Sequence, residues 1–165
     1  MGIQEDESVR VIKLLSDEEF EVEGDLKVGD VIKAGGSFGI VTSIYHEEAE
    51  LTKYLGIEAE KLGEFLPDLS GGERVARCFI LHCDEHPKPG DEVEIADDRE
   101  LKKLHLSGGE FSIPYLISLI KRCRERLWIV RDHLERLAKT IPEEKSLIDI
   151  LKAEVEYRML RDMEG

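Results

Sequence analysis

From Ile113 to Ile141, the apolar residues Ile113, Leu116, Ile120, Cys123, Leu127, Val130, Leu134, Leu137 and Ile141 recur at alternating steps of three and four. That spacing keeps them on one stripe of an α-helix over four heptads, in the a and d positions of a coiled-coil seam. A strand has a side-chain period of two and cannot use the pattern. Ser112 is the candidate N-cap, Pro114 falls in the first turn where proline is tolerated, and Pro142 ends the run. The spacing predicts a helix of about 28 residues. A second helix follows in "PEEKSLIDILKAEVEYRMLRDMEG", with Leu147, Leu151, Val155 and Met159 four apart.

The residues flanking the stripe bear on what it pairs with. With Ile113 as a, the e positions include Arg124 and Arg131 and the g positions include Arg126 and His133. In a parallel homodimer Arg126 would face Arg131 of its twin, a like-charge pair that disfavours association. Glu143–Glu164 instead carries seven acids against four bases. A hairpin with the basic helix against the acidic one removes the conflict; a dimer or hetero-partner seam is the other reading.

The first hundred residues read differently. "VRVIKLL" and "EFEVEG" alternate, the latter with Phe20 and Val22 on one face. A turn at Gly29-Asp30, a short strand and a break at Gly35-Gly36 follow, and "FGIVTSIY" is apolar and β-branched, as a buried strand is. Leu51, Leu55, Leu62, Phe65 and Leu66 have helical spacing, interrupted by Gly56 and Gly63. "RVARCFILHC" and "VEI" are further strands, with a Pro-Gly turn at Pro89-Gly90 between them. "DDRELKKL" opens a short helix with Asp97 or Asp98 as N-cap. Many short strands separated by turns point to a small barrel or sandwich.

The chain's formal net charge of −14 opposes nucleic-acid binding by the surface as a whole. The charge is uneven: Ser112–Ile141 has a local net of +4, leaving −18 on the remainder. Such asymmetry marks an interface between oppositely charged parts, within the chain or with a partner. The abundance of Glu and Lys resembles thermophile surfaces. Three cysteines imply no disulfide framework and suit a reducing compartment. No apolar run reaches membrane-span length, and "MGIQEDESVR" has no signal-peptide pattern, so a soluble cytoplasmic protein is expected. Asp6 stands where a myristoylation motif wants serine or threonine.

"LSGGE" occurs twice, at Leu69–Glu73 and Leu106–Glu110, and looks like an ATP-binding-cassette signature loop. Such a loop works beside a phosphate cradle of the form GxxxxGK[ST], which the chain lacks, so the copies read as bends. Cys78, His82, Cys83 and His86 are all zinc-ligand types, with His46 as a further neighbour. On a strand Cys78 and His82 share one face and Cys83 the other, so a metal-dependent enzyme around His82, Cys83 and His86 needs a bend. Ser70 and Ser107 lack a nucleophile elbow. The basic helix 112–141 offers Lys121, Arg122, Arg124, Arg126 and Arg131 to phosphates, a nucleic-acid reading, or to a protein partner.

"LKVGDVIKA" followed by "FGIVTSI", and later "HPKPGDEVEIADDRELKKL", resemble the barrel that opens HerA-type DNA-translocating ATPases, the HerA–ATP synthase (HAS) barrel. The resemblance covers about Val9–Leu106. It implies a barrel without its motor domain, since no phosphate-binding loop follows. It also implies partners, because in that family the barrel helps build an oligomeric ring and docks a NurA-type nuclease.

The expected fold class is α+β: a small Greek-key-like β-barrel over 1–106, with a helical insertion near 47–69, then a two-helix hairpin or coiled-coil unit over 112–164. The expected function is a non-catalytic protein-interaction or assembly module, an adaptor to a HerA/NurA-like or other ATPase system and a candidate homo-oligomer. No catalytic residue, cofactor or metal ligand is assigned. Partner contact is assigned to Arg124, Arg126 and Arg131, and packing to Ile40, Val41, Ile44, Val75, Phe79, Leu81 and the heptad positions.

Overall fold

The computed structural model describes residues 8–47 and 73–164. The expected helical insertion, and the first LSGGE copy up to Gly72, lie outside them. Six strands appear in order: β1 (Val9–Leu14), β2 (Glu19–Glu23), β3 (Val31–Ala34), β4 (Ser37–Glu47), β5 (Glu73–Cys83) and β6 (Glu92–Ile95). They close into an antiparallel barrel in the order β1-β2-β5-β4-β3-β6. β3, β4 and β5 form a meander, and β6 returns to lie beside β3, which is a Greek key. Among the described strands closure leaves no open sheet edge.

Local sequence explains the corners. Ala34 pairs with Ser37, so Gly35-Gly36 makes a two-residue hairpin loop, and Gly35 sits at φ 59° as the primed turns require. Register shifts in β1, between Val11 and Lys13, and in β4 beside Gly39 and Thr42 mark irregularities that bend the long strands around the barrel.

Neighbouring residues of the central strands join different cores. Ile32, Val41 and Cys78 belong to the barrel interior with Phe20 and Val22. Val31, Ile40, Phe79 and Leu81 pack instead with residues of the helices. The β3–β4–β5 wall is therefore buried on both faces, which is why "GIV" and "CFIL" are continuously apolar rather than alternating. Of the residues assigned to packing, Ile40, Val41, Val75, Phe79 and Leu81 are buried, and Ile44 is half-buried.

Four helices follow: α1 (Asp98–His105), α2 (Leu116–Arg122), α3 (Trp128–Thr140) and α4 (Lys145–Glu164). Asp97 caps α1 in a reciprocal capping box with Glu100. The second LSGGE becomes a short 3₁₀ turn over Ser107–Gly109, with Gly108 and Gly109 at φ 67° and 83°. That backbone is easy for glycine and costly for other residues. α3 and α4 pack together, joined by the Pro142–Glu144 turn.

Two expectations about the helices need correction. The single heptad helix is two: the chain turns over Cys123–Leu127, where Arg126 N–H donates to Cys123 C=O at 2.8 Å. No proline or glycine lies there. Packing makes the break, because both Cys123 and Leu127 are buried and the chain restarts with Ile129 and Val130 buried as well. The stripe shifts accordingly, so Leu119 and His133, at g, are inside, whereas Leu116 and Ile120 are only half-buried. Ser112 caps no helix, since α2 starts after Tyr115. The expected hairpin does form, with α3 lying against α4, and between them Lys152 of α4 lies 3.7 Å from Glu135 of α3.

Candidate partner-binding site

The basic segment divides according to where its cations end up. Arg122 spans to the β1–β2 turn, reaching Glu18 at 3.1 Å and Glu19 at 3.4 Å. Arg136 donates to Ala96 C=O at 3.3 Å and lies 3.5 Å from Asp98, tying α3 to the start of α1. Arg131 pairs with its neighbour Asp132 at 3.1 Å. Lys121, Arg124 and Arg126 have no ion pair to a described residue. Of the three arginines assigned to partner contact, Arg124 and Arg126 thus sit exposed in the turn between α2 and α3, and Arg131 is half-buried on α3. They do not form one helical flank, because the helix that would have aligned them is broken.

The end of α4 comes down beside this turn and builds a cleft. One part, about 440 Å³, is lined by Ile120, Lys121, Arg124, Leu127, Arg158, Arg161 and Asp162. An adjoining part, about 620 Å³, is lined by Arg124, Glu125, Leu127, Trp128, Met159 and Asp162. Arg124, Leu127 and Asp162 belong to both. Leu127 is buried at the base, while Trp128, the single tryptophan of the chain, is 38% exposed. Sequence reading named Arg124 but missed Arg158 and Arg161, because nothing local shows that residues 30 and more positions apart share a wall.

α4 also presents a second surface. Ile148 and Val155 are buried against the rest of the protein, with Leu151 and Met159 packed beside them. Leu147, the first residue of the row spaced by four, is 45% exposed, because a strict step of four drifts around a helix of 3.6 residues per turn. On the opposite side Ile150, Tyr157 and Leu160 are 66%, 60% and 61% exposed. A helix with one partner normally shows a single apolar face; this one has two.

The remaining candidates are separated by the fold. Cys78 is buried in the barrel interior, where desolvation pushes its thiol far above the ordinary range. Cys83 is half-buried, and His82 and His86 are exposed; His82 Nε2 lies 3.1 Å from Asp84 Oδ1. Among the described residues no three His, Cys, Asp or Glu side chains converge as a metal-ion site. Ser107 lines a shallow cleft with His82 and Asp84, while Ser70 lies outside the described residues. His46 is exposed on β4.

One buried polar cluster leaves no mark in the sequence pattern. His105 from α1, Tyr115 before α2 and His133 from α3 meet in the shared core, all less than one-tenth exposed. His105 Nδ1 is 2.8 Å from Leu101 C=O, an acceptor only, so Nδ1 carries the proton and Nε2 accepts from the Tyr115 hydroxyl at 2.5 Å. The Tyr115 oxygen then accepts from His133 Nε2–H at 2.6 Å, leaving His133 Nδ1 without a partner. Desolvation, then the neighbouring His105 and Arg136, push His133 down to about 3. Desolvation also lowers His105 and raises Tyr115.

Among the described residues no helix is long and apolar enough to cross a membrane. No protein-family model matches the chain, and a search of curated proteins finds no match.

Proposed function

We propose that this chain is a non-catalytic protein-interaction or assembly module: a closed barrel capped by helices, one of which keeps an apolar face for a partner. The observation that carries this reading is the outer side of α4. Ile150, Ala153, Tyr157 and Leu160 stand at i, i+3, i+7 and i+10, the anchor spacing of a helix that docks into a groove or against another helix. All four are exposed. Singly exposed apolar residues are ordinary, whereas an aligned row marks an interaction surface. The His105–Tyr115–His133 cluster lies sealed in the core, out of a partner's reach.

The narrower reading, an adaptor to a HerA/NurA-like DNA-processing ATPase system, rests on the resemblance of residues that form β3, β4, β6 and α1. A photo-crosslinking amino acid at Tyr157, used in native cells, tests both levels. The expected result is a discrete adduct, lost when Ile150→Glu is added. An adduct with an ATPase or nuclease supports the adaptor role, and one with another protein leaves only the interaction module. Absence of any adduct overturns the proposal.

A further inference from the structure

We infer that the cleft between the α2–α3 turn and the end of α4 binds an acidic peptide segment of a partner protein, one that also carries an aliphatic or aromatic anchor. This rests on the reading of the chain as an interaction module but uses a different surface from the outer row of α4.

Charge complementarity identifies the occupant. The cleft gathers Lys121, Arg124, Arg158 and Arg161 against Glu125 and Asp162, a local excess of two positive charges on a chain whose net charge is −14. Two cations have an internal use: Lys121 and Arg161 fall in the last turns of α2 and α4, where they complement the helix dipoles. Arg124 and Arg158 lie outside those turns. Arg158 reaches Glu154 only at 3.4 Å on the exposed surface, a pair of little worth, and Arg124 pairs with no described residue. A guanidinium so placed presents a planar fork of donors suited to a carboxylate.

The wall between the cations is apolar. Ile120, Leu127, Trp128 and Met159 line it, which suits a side chain better than a sugar-phosphate backbone. The net charge separates the two polyanions further. A short acidic peptide senses only the local field, because salt screens charges beyond roughly 8 Å. A nucleic-acid strand long enough to bind tightly would run onto the acidic remainder of the surface. The observations therefore favour a peptide.

Trp128 supplies its own readout. The full chain is titrated, with Trp128 emission recorded, against a short synthetic peptide of glutamates with leucines at i, i+4 spacing. The same peptide with lysine for glutamate and a single-stranded oligonucleotide are run beside it. The glutamate peptide should shift the emission saturably and more weakly as salt rises, and the lysine peptide should not. Arg124→Glu, at an exposed turn position, should weaken binding by about tenfold or more. Ile150→Glu, on the outer face of α4, should leave the titration unchanged, so the cleft and the outer row can fail separately. Equal response to both peptides, binding of the oligonucleotide alone, or no emission change with the glutamate peptide overturns the inference.

Discussion

The Tyr115 hydroxyl oxygen lies 2.6 Å from His133 Nε2, and the same oxygen lies 2.5 Å from His105 Nε2. A tyrosine has one proton to give, so one histidine must donate and the other accept. The Leu101 carbonyl fixes His105 as the acceptor, which leaves His133 as the donor with an unpaired Nδ1. In this arrangement both rings are neutral, and His105 must stay so to accept the tyrosine proton at Nε2.

Stability should consequently fall as the solution is acidified from pH 7 to 5. His133 is depressed to about 3 in the folded protein, below its ordinary value near 6.5, so between those values the unfolded chain binds the extra proton. Its contribution is fully present above about 6.5 and declines with falling pH, by up to about 1.4 kcal/mol per pH unit. His105 is lowered too and acts in the same direction. Urea unfolding of wild type and His133→Phe at several pH values checks this. The variant should lose close to one proton of the pH dependence; an unchanged slope would count against the neutral-ring assignment.

Tyr115→Phe removes the shared oxygen and strands both Nε2 atoms in the core. The expected loss is about 1–3 kcal/mol at pH 7, the cost of unsatisfied buried polar groups. Chemical denaturation measures it. A change below about 0.5 kcal/mol would mean that water satisfies the histidines instead.

Gly39→Ala should destabilise the barrel by about 1–3 kcal/mol. A Cβ there would lie 3.0 and 3.1 Å from ring atoms of Phe20, which is fully buried in the barrel interior, and 3.2 Å from the Phe79 carbonyl oxygen. The ring cannot retreat in a core this small. Phe20→Leu made with Gly39→Ala should recover part of the loss, a coupling that a double-mutant cycle reads directly.

The two faces of α4 should respond oppositely to truncation. Ile148→Ala removes a fully buried side chain from the core that joins α3 and α4, and should cost about 2–5 kcal/mol. Ile150→Ala, on the exposed side, should change stability by less than about 0.5 kcal/mol. Thermal melts of the two variants test the assignment of faces; a large loss from Ile150→Ala would mean that the outer row is already covered in solution.

Native thiol labelling should find one reactive cysteine. Cys83 is half-buried, whereas Cys78 and Cys123 are buried and burial pushes both thiols up, Cys123 to about 11. A thiol held protonated reacts slowly. One equivalent of label at pH 8 is expected, with the other two released on unfolding.

How much of this was legible varies with the range of the interaction. The break at Gly35-Gly36, which the structure resolves into a hairpin loop, the alternation of Phe20 and Val22 and the Asp97 cap are dictated within a few residues. The break at Cys123–Leu127 was not legible, because every residue there tolerates a helix and only burial of Cys123, Leu127 and Ile129 together redirects the chain. With the break came what pattern reading assigned to the flank: His133 turned inward to Tyr115, and Arg124 and Arg126 left in a turn.

The sequence by itself determined the α+β class, a strand-rich barrel followed by helices, since periods of two and of 3.6 are properties of neighbouring residues. Tertiary structure alone decided the two-faced burial of β3, β4 and β5, the His105–Tyr115–His133 cluster and the cleft that joins Arg124 to Arg158. Each of these brings together residues far apart in the chain. Their proximity is fixed by which surfaces can be buried at once, a condition no local pattern encodes.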